Sequence, residues 1–165
     1  MSLCQWIHSL NAWIKNQTHK DQYPLLIGAI ALADHFVFFF PVDALLVGSS
    51  LMAPRRKFLF SLTVALGSAV GASILGGAVL RYGDPLVQNL WPEMTSYALW
   101  GEFENFLNSK GFLGLTLIAA SPFALQPAII LAGLAEMNSS SIFLASFVGR
   151  LLKSLCLCYL IPHRP

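Results

Sequence analysis

The sequence predicts an all-α integral membrane protein. The expected architecture is two re-entrant, proline-broken hairpins plus transmembrane helices, set in an inverted repeat behind an N-terminal amphipathic helix. Three observations carry this expectation. First, 56% of the 165 residues are hydrophobic and only 11% are charged, with a mean hydropathy of +0.64. A soluble domain carries about a quarter charged residues and could not hide this much apolar surface in one core. Second, two long apolar stretches are interrupted near their middles by prolines and polar groups. Third, six of the ten basic residues share one side of a membrane only if those two stretches turn back, with Arg81 and Lys110 left at the ends of the opposite loop.

Residues 1–22 are expected to form an interfacial helix. Leu3, Trp6, Ile7, Leu10, Trp13 and Ile14 recur at helical spacing, with Gln5, His8, Asn11 and Lys15 on the other face. Tryptophans on an apolar stripe sit well at headgroup level. A cleavable signal peptide is not expected: there is no basic leader, continuous apolar segment or A-x-A site.

The membrane domain is expected over 23–165. Its first interrupted stretch, 25–52, contains Asp34, His35, Pro41 and Asp43. The cleanest crossing is 58–80, which has no charge and exceeds the about 20 residues a spanning helix needs. Small residues repeat along it every four positions: Ala65, Ala69, Ser73 and Gly77 on one line, Gly67 and Gly71 on another, Ser68, Ala72 and Gly76 on a third. Such faces allow close helix approach, within a monomer or in a homo-oligomer. Next comes a polar loop, 81–110, holding Asp84, Glu93, Glu102 and Glu104. Trp100, Phe103, Phe106 and Leu107 mark a short amphipathic helix within it. The second interrupted stretch, 111–136, carries Pro122, Gln126, Pro127 and Gly133. The last crossing is 137–161, with Arg150 and Lys153 on one face.

Each interrupted stretch is either a kinked span or a hairpin that enters and leaves on one side. If both span, Lys15 and Lys20 lie opposite the loop Arg55-Arg56-Lys57, as does Arg164. If both are hairpins, these six residues share the cytoplasmic side with both termini, and the acidic 81–110 loop faces away. The hairpin arrangement calls for an inverted repeat. Gly48, Met52, Phe58, Leu59 and Ser61 match Gly133, Met137, Phe143, Leu144 and Ser146 at a constant offset. Inverted repeats of broken helices are a common transporter layout, with the site near the midplane. Pro41, Pro122, Pro127 and Gly133 are the expected turn residues.

Three segments resemble the DedA family in the same order: "ADHFVFFFPVDALLVGSSLMAPRRKFLF", "ALGSAVGASILGGAVLRYG" and "SPFALQPAIILAGLAEMNSSSIFLASFVGR". This is the VTT, or SNARE-associated Golgi protein, domain, and the likeness is closer to its YqaA-like branch. It covers roughly residues 25–160. The resemblance implies facing membrane hairpins, a bacterial inner-membrane location, and translocation or scrambling of phospholipid or undecaprenyl phosphate, with coupling to protons in some members. It places Asp34 where the family commonly has Glu, Asp43 near the acid after the Pro turn, Gln126 where a basic residue is usual, and Arg150 in the family's Gly-Arg. Many members carry two arginines in the second hairpin; here those places read Ala119 and Leu125.

Read from the residues alone, Asp34, His35, Asp43, Arg150 and Lys153 are ionisable groups in apolar surroundings. Each costs at least about 2.5–3.5 kcal/mol in a membrane, so such groups face one another or water. Asp34 and Asp43 are expected to face Arg150 and Lys153, a cationic pair suited to a lipid phosphate. The acids and His35 are candidate proton carriers, and Gln126 is a candidate partner for backbone freed by the prolines. The competing expectations are a proton-coupled small-solute or ion transporter, and a non-transporting scaffold. An enzyme is not expected, because no acyltransferase, hydrolase or phosphate-loop motif occurs. Nor is a cofactor, a metal or a nucleic-acid partner: net charge is only +2, and Cys4, Cys156 and Cys158, expected as inert buried thiols, have no ligand spacing. The expected partners are membrane lipids.

Overall fold

A computed structural model describes residues 22–36, 41–90, 100–122 and 125–160. The interfacial helix expected over 1–22 lies outside them. The described elements are helical throughout: α1 (Tyr23–Ala33), α2 (Val42–Met52), a 3-10 turn (Pro54–Arg56), α3 (Lys57–Tyr82), α4 (Asp84–Leu90), α5 (Trp100–Ala120), α6 (Leu125–Leu134) and α7 (Ser139–Leu160).

Two of these helices are long and apolar enough to cross a membrane: α3, taken with its preceding turn, and α7. They match the expected crossings 58–80 and 137–161 to within a few residues. At about 1.5 Å per residue α3 is roughly 39 Å long, against a hydrocarbon layer of about 30 Å. It stops at Gly83, where φ is +63°, a value that favours glycine.

The two long helices run antiparallel. The Lys57 ammonium lies 5.1 Å from the centre of the Tyr159 ring, and the Ser61 hydroxyl meets the Cys158 sulfur at 3.5 Å. At the other end, a Cβ placed on Gly76 would meet Ile142, and one on Gly77 would meet Ser139. As α3 ascends, α7 descends.

α1 lies along α3 in the same direction. Tyr23 packs edge-on against Phe60, Gly28 lies against Thr63 and Gly67, and Leu32 and His35 lie against Gly71. α2 then comes back. The Tyr23 hydroxyl is 2.9 Å from the Ser49 hydroxyl, so the start of α1 meets the end of α2. The chain from 23 to 52 therefore leaves one end of the molecule and returns to it.

The second interrupted stretch behaves likewise at the opposite end. The helical backbone of α5 breaks at Gly111, with φ 50° and ψ −121°, which separates the amphipathic helix from the apolar half of α5. In that amphipathic segment Leu107 is buried while Glu102, Glu104 and Asn108 are exposed. The apolar half packs on α7: a Cβ on Gly149 would run into the Thr116 carbonyl and Ala119. α6 runs alongside α3, with Ile129 at Gly76 and Gly133 against the Gly76 carbonyl and Val79.

Four details differ from expectation. Pro127 and Gly133 are not turn residues but lie within α6. Pro127 occupies the first turn, where amides lack helical partners anyway, so its missing N–H costs nothing there. Gly133 lets α6 approach the α3 backbone. The bend itself is at Ser121–Pro122. The 81–110 region also contains α4, whose Val87 is buried, and Cys156 is exposed rather than buried. The small residues expected to form packing faces, Gly67, Gly71, Gly76 and Gly77, meet other segments of the same chain.

The core has two apolar halves. One holds Tyr23, Ile27, Ala31, Leu46, Phe60, Val64 and Cys158. The other holds Leu75, Val79, Leu107, Leu115, Ile129 and Ile142. Between them runs a layer of buried polar side chains: Asp34, His35, Ser68, Gln126, Ser146 and Arg150.

Candidate functional site

The polar layer is built where the ends of the two returning segments meet. α1 ends at Ala33, and Asp34 caps it. A negative charge is unfavourable at a helix C-terminus, where the backbone carbonyls already point. Arg150 offsets this: its Nη2 lies 3.8 Å from Asp34 Oδ2. Both side chains are about nine-tenths buried, with 9% and 10% exposure.

Asp43 sits in the first turn of α2, where a carboxylate is favoured by the helix N-terminus. It joins both cations. Arg150 Nη1 is 3.4 Å from Asp43 Oδ1, and Lys153 Nζ is 2.7 Å from Asp43 Oδ2. This outer pair is more open: Asp43 is 40% exposed and Lys153 13%. One residue, Arg150, therefore bridges the inner Asp34–Arg150 pair to the outer Asp43–Lys153 pair. Arg150 and Lys153 reach the two acids together because they lie three positions apart on one helix face.

His35 is fully buried beside this cluster. Its Nδ1 donates to the Ala31 carbonyl at 3.2 Å, which leaves Nε2 to accept from the Ser68 hydroxyl at 3.5 Å. The ring has room because Gly71 lies beneath it and carries no side chain.

Gln126 closes the layer from the other side. Its Nε2 donates to the Asp34 carbonyl at 3.3 Å. It does satisfy free backbone, but at the end of α1 rather than in its own proline-broken segment. This contact ties the tip of the second returning segment to the tip of the first.

Two polar atoms in the layer have no hydrogen-bond partner among the described residues: Arg150 Nε and the Ser146 hydroxyl, one helical turn apart on α7. Buried polar groups are normally paired, so these two are spare donors at the site. Sequence reasoning misses Ser146 and Ser68 as site residues. Their only signal is spacing: Ser146 precedes Arg150 by four residues, and Ser68 lies in the small-residue lines of α3.

Two apolar clefts of about 340 Å3 border the cluster. One is lined by Ile30, Pro41, Val42 and Leu45, the last three beside Asp43 in the chain. The other lies between the Ser121–Pro122 bend and the lower part of α7, with Lys153 in its wall. The positions where the DedA resemblance would place arginines, Ala119 and Leu125, are both buried in the apolar core. The second returning segment thus brings an amide and no charge to the described site. Compared with known protein families, curated proteins and solved structures, the chain matches no family model, no curated protein and no solved structure.

Proposed function

We propose that this chain is an integral membrane protein of DedA type that moves lipid between leaflets at the junction of two re-entrant hairpins. The observation that carries this reading is the meeting of two returning segments, from opposite ends, at a buried ionic cluster halfway along the long helices.

The membrane setting is supported by the surface. Leu59, Leu66, Val70, Ile74 and Leu80 are exposed on α3, as are Leu144, Val148 and Leu152 on α7. Apart from the cluster, charged side chains at the surface among the described residues fall at two ends. Arg55, Arg56 and Lys57 are at one; Arg81, Glu102, Glu104, Lys110 and Glu136 are at the other. Exposed Tyr82 and Tyr159 stand at opposite ends, as interfacial tyrosines do.

The antiparallel long helices support re-entry. If 111–136 crossed the membrane once, α3 and α7 would run in the same direction. An even number of crossings between them is required, and a hairpin supplies none. The residues matched at a constant offset between Gly48–Ser61 and Gly133–Ser146 fit an inverted repeat of the same arrangement, as does an inner-membrane location with the basic loop cytoplasmic. A re-entrant turn puts free backbone inside the membrane, which is tolerated where it is buried in protein or lines a cavity.

Each residue of the cluster then has its own task. Asp34 and Arg150 lock the first tip onto α7. Gln126 locks the second tip onto the first. Asp43 and Lys153, the open pair, meet the headgroup, and the flanking clefts take the chain. Proton coupling would run through the acids.

Two experiments test this. In proteoliposomes with fluorescent phospholipid in both leaflets, dithionite should quench well beyond half in wild type, and the phase beyond half should be markedly slower with Lys153→Gln. Quenching that stops at half in wild type sinks the scramblase reading and favours solute transport. Single cysteines at Gly101 and Glu136 should react with an impermeant maleimide from the same side, opposite Arg55→Cys. Glu136→Cys labelling from the Arg55 side would show a full crossing instead.

A further inference from the structure

The charges of the site bear on which lipid it takes, given the lipid-translocation reading. The cluster contains two carboxylates, Asp34 and Asp43, and two cations, Arg150 and Lys153. These charges cancel. The second tip supplies none, because Ala119, Leu125 and Gln126 are uncharged. Bringing a purely anionic headgroup into this layer adds a charge that nothing among the described residues offsets, and an unpaired charge in low dielectric is costly.

A zwitterionic headgroup avoids that cost. It carries a phosphodiester anion and an ammonium cation a few atoms apart. The open pair offers one group of each sign, with Lys153 Nζ 2.7 Å from Asp43 Oδ2. If the phosphate takes Lys153 and the ammonium takes Asp43, one ion pair becomes two and the net charge of the site does not change. The inner pair need not open, since Arg150 keeps Asp34.

The cleft beside Lys153 argues for a lipid rather than a free zwitterion. Leu152, Leu157, Leu160 and Pro122 line it, so its surface is apolar with one ammonium in the wall. Leu152 and Leu160 are also exposed on the outer face of α7, so the cleft is open to the side, where a hydrocarbon chain enters. It lies toward the Lys57 end of the molecule, below the second tip.

We propose that the Asp43–Lys153 pair is a selectivity element that admits zwitterionic phospholipids in preference to anionic ones, with a chain lodged in the Lys153 cleft. The test compares tail-labelled phosphatidylcholine with tail-labelled phosphatidylglycerol in vesicles of identical bulk lipid. Wild type should move the choline lipid at least about tenfold faster, a barrier difference of about 1.4 kcal/mol. Asp43→Asn leaves the site with a surplus positive charge and should raise the glycerol-to-choline rate ratio. Lys153→Gln should slow both lipids and lower that ratio. The exchanged pair, Asp43→Lys with Lys153→Asp, should keep the preference for the choline lipid. Equal rates in wild type, with the ratio unmoved in Asp43→Asn, would overturn the proposal while leaving translocation standing. If neither lipid moves faster than in protein-free vesicles, the translocation reading itself fails and the proposal falls with it.

Discussion

The two returning segments have the same outline and opposite chemistry. The first carries Asp34, His35 and Asp43 at its tip, while its arms expose Leu25, Leu26 and Leu51. The second carries no charge at its tip, only Ser121 and Gln126 as polar side chains, and α6 is buried from Leu125 to Gly133. One delivers charge; the other delivers shape and a single amide. The first must therefore be held by a partner of opposite sign, and α7 provides it. The second is held by close packing, through Gly133 on α3 and Gly149 on α7. Both returning segments thus pack closely on α3, but the first depends on charge as well, and substitutions should separate the two contributions.

The largest effect should come from the charge lock. Arg150→Met leaves Asp34 buried without its cation and should cost about 3–5 kcal/mol of stability, read as reversible unfolding in detergent micelles. Adding Asp34→Asn should restore much of the loss, because the stranded charge is then gone. An Arg150→Met protein as stable as wild type would show that the first tip is not held electrostatically.

The packing locks come next. A Cβ on Gly133 would lie 2.8 Å from the Gly76 carbonyl, and one on Gly67 would strike the Gly28 carbonyl. Gly133→Val and Gly67→Val should each cost about 1–3 kcal/mol by overpacking, since backbone cannot step aside as a flexible side chain can. If Gly133→Val alone proved silent, the second returning segment would not be docked through α6.

Gln126→Leu removes the hydrogen bond between the tips. It should cost about 0.5–1.5 kcal/mol, and hydrogen exchange at the end of α1 should quicken. Unchanged exchange there would mean that the tips are coupled by packing only.

The smallest effect on stability belongs to the open pair. Asp43→Asn should change it by less than about 1 kcal/mol, since a partly exposed ion pair contributes little. A large loss would make Asp43 part of the lock instead of the open half of the site.

Much of the site is legible residue by residue. Asp34, Asp43, Arg150 and Lys153 stand out because charge in an apolar stretch needs a reason, and the three-residue spacing of Arg150 and Lys153 puts them on one face. The boundary at Gly111 and the amphipathic pattern around Leu107 can also be read. The roles of Pro127 and Gly133 cannot. Proline and glycine signal a break, but each is equally at home in a helix when it falls in the first turn or against another backbone. Only the position of the α6 start and the nearness of α3 separate these cases. Ser68 and Ser146 stay hidden for a similar reason: a serine in a small-residue line is a spacer until something polar is placed opposite it.

The sequence by itself determined the class of element and the places where charge is buried. Hydropathy, proline position and spacing act within a few turns of chain, and those are local properties. Tertiary structure decided that one carboxylate faces inward while the other stays open, and that Gln126 reaches the backbone at the opposite tip. These outcomes depend on contacts between residues about a hundred positions apart, such as Asp34 with Gln126 and Asp43 with Arg150. No local pattern sets which cation each acid meets, or how deeply each is buried. These pairings arise because charges in apolar surroundings are tolerable only where they meet one another or water.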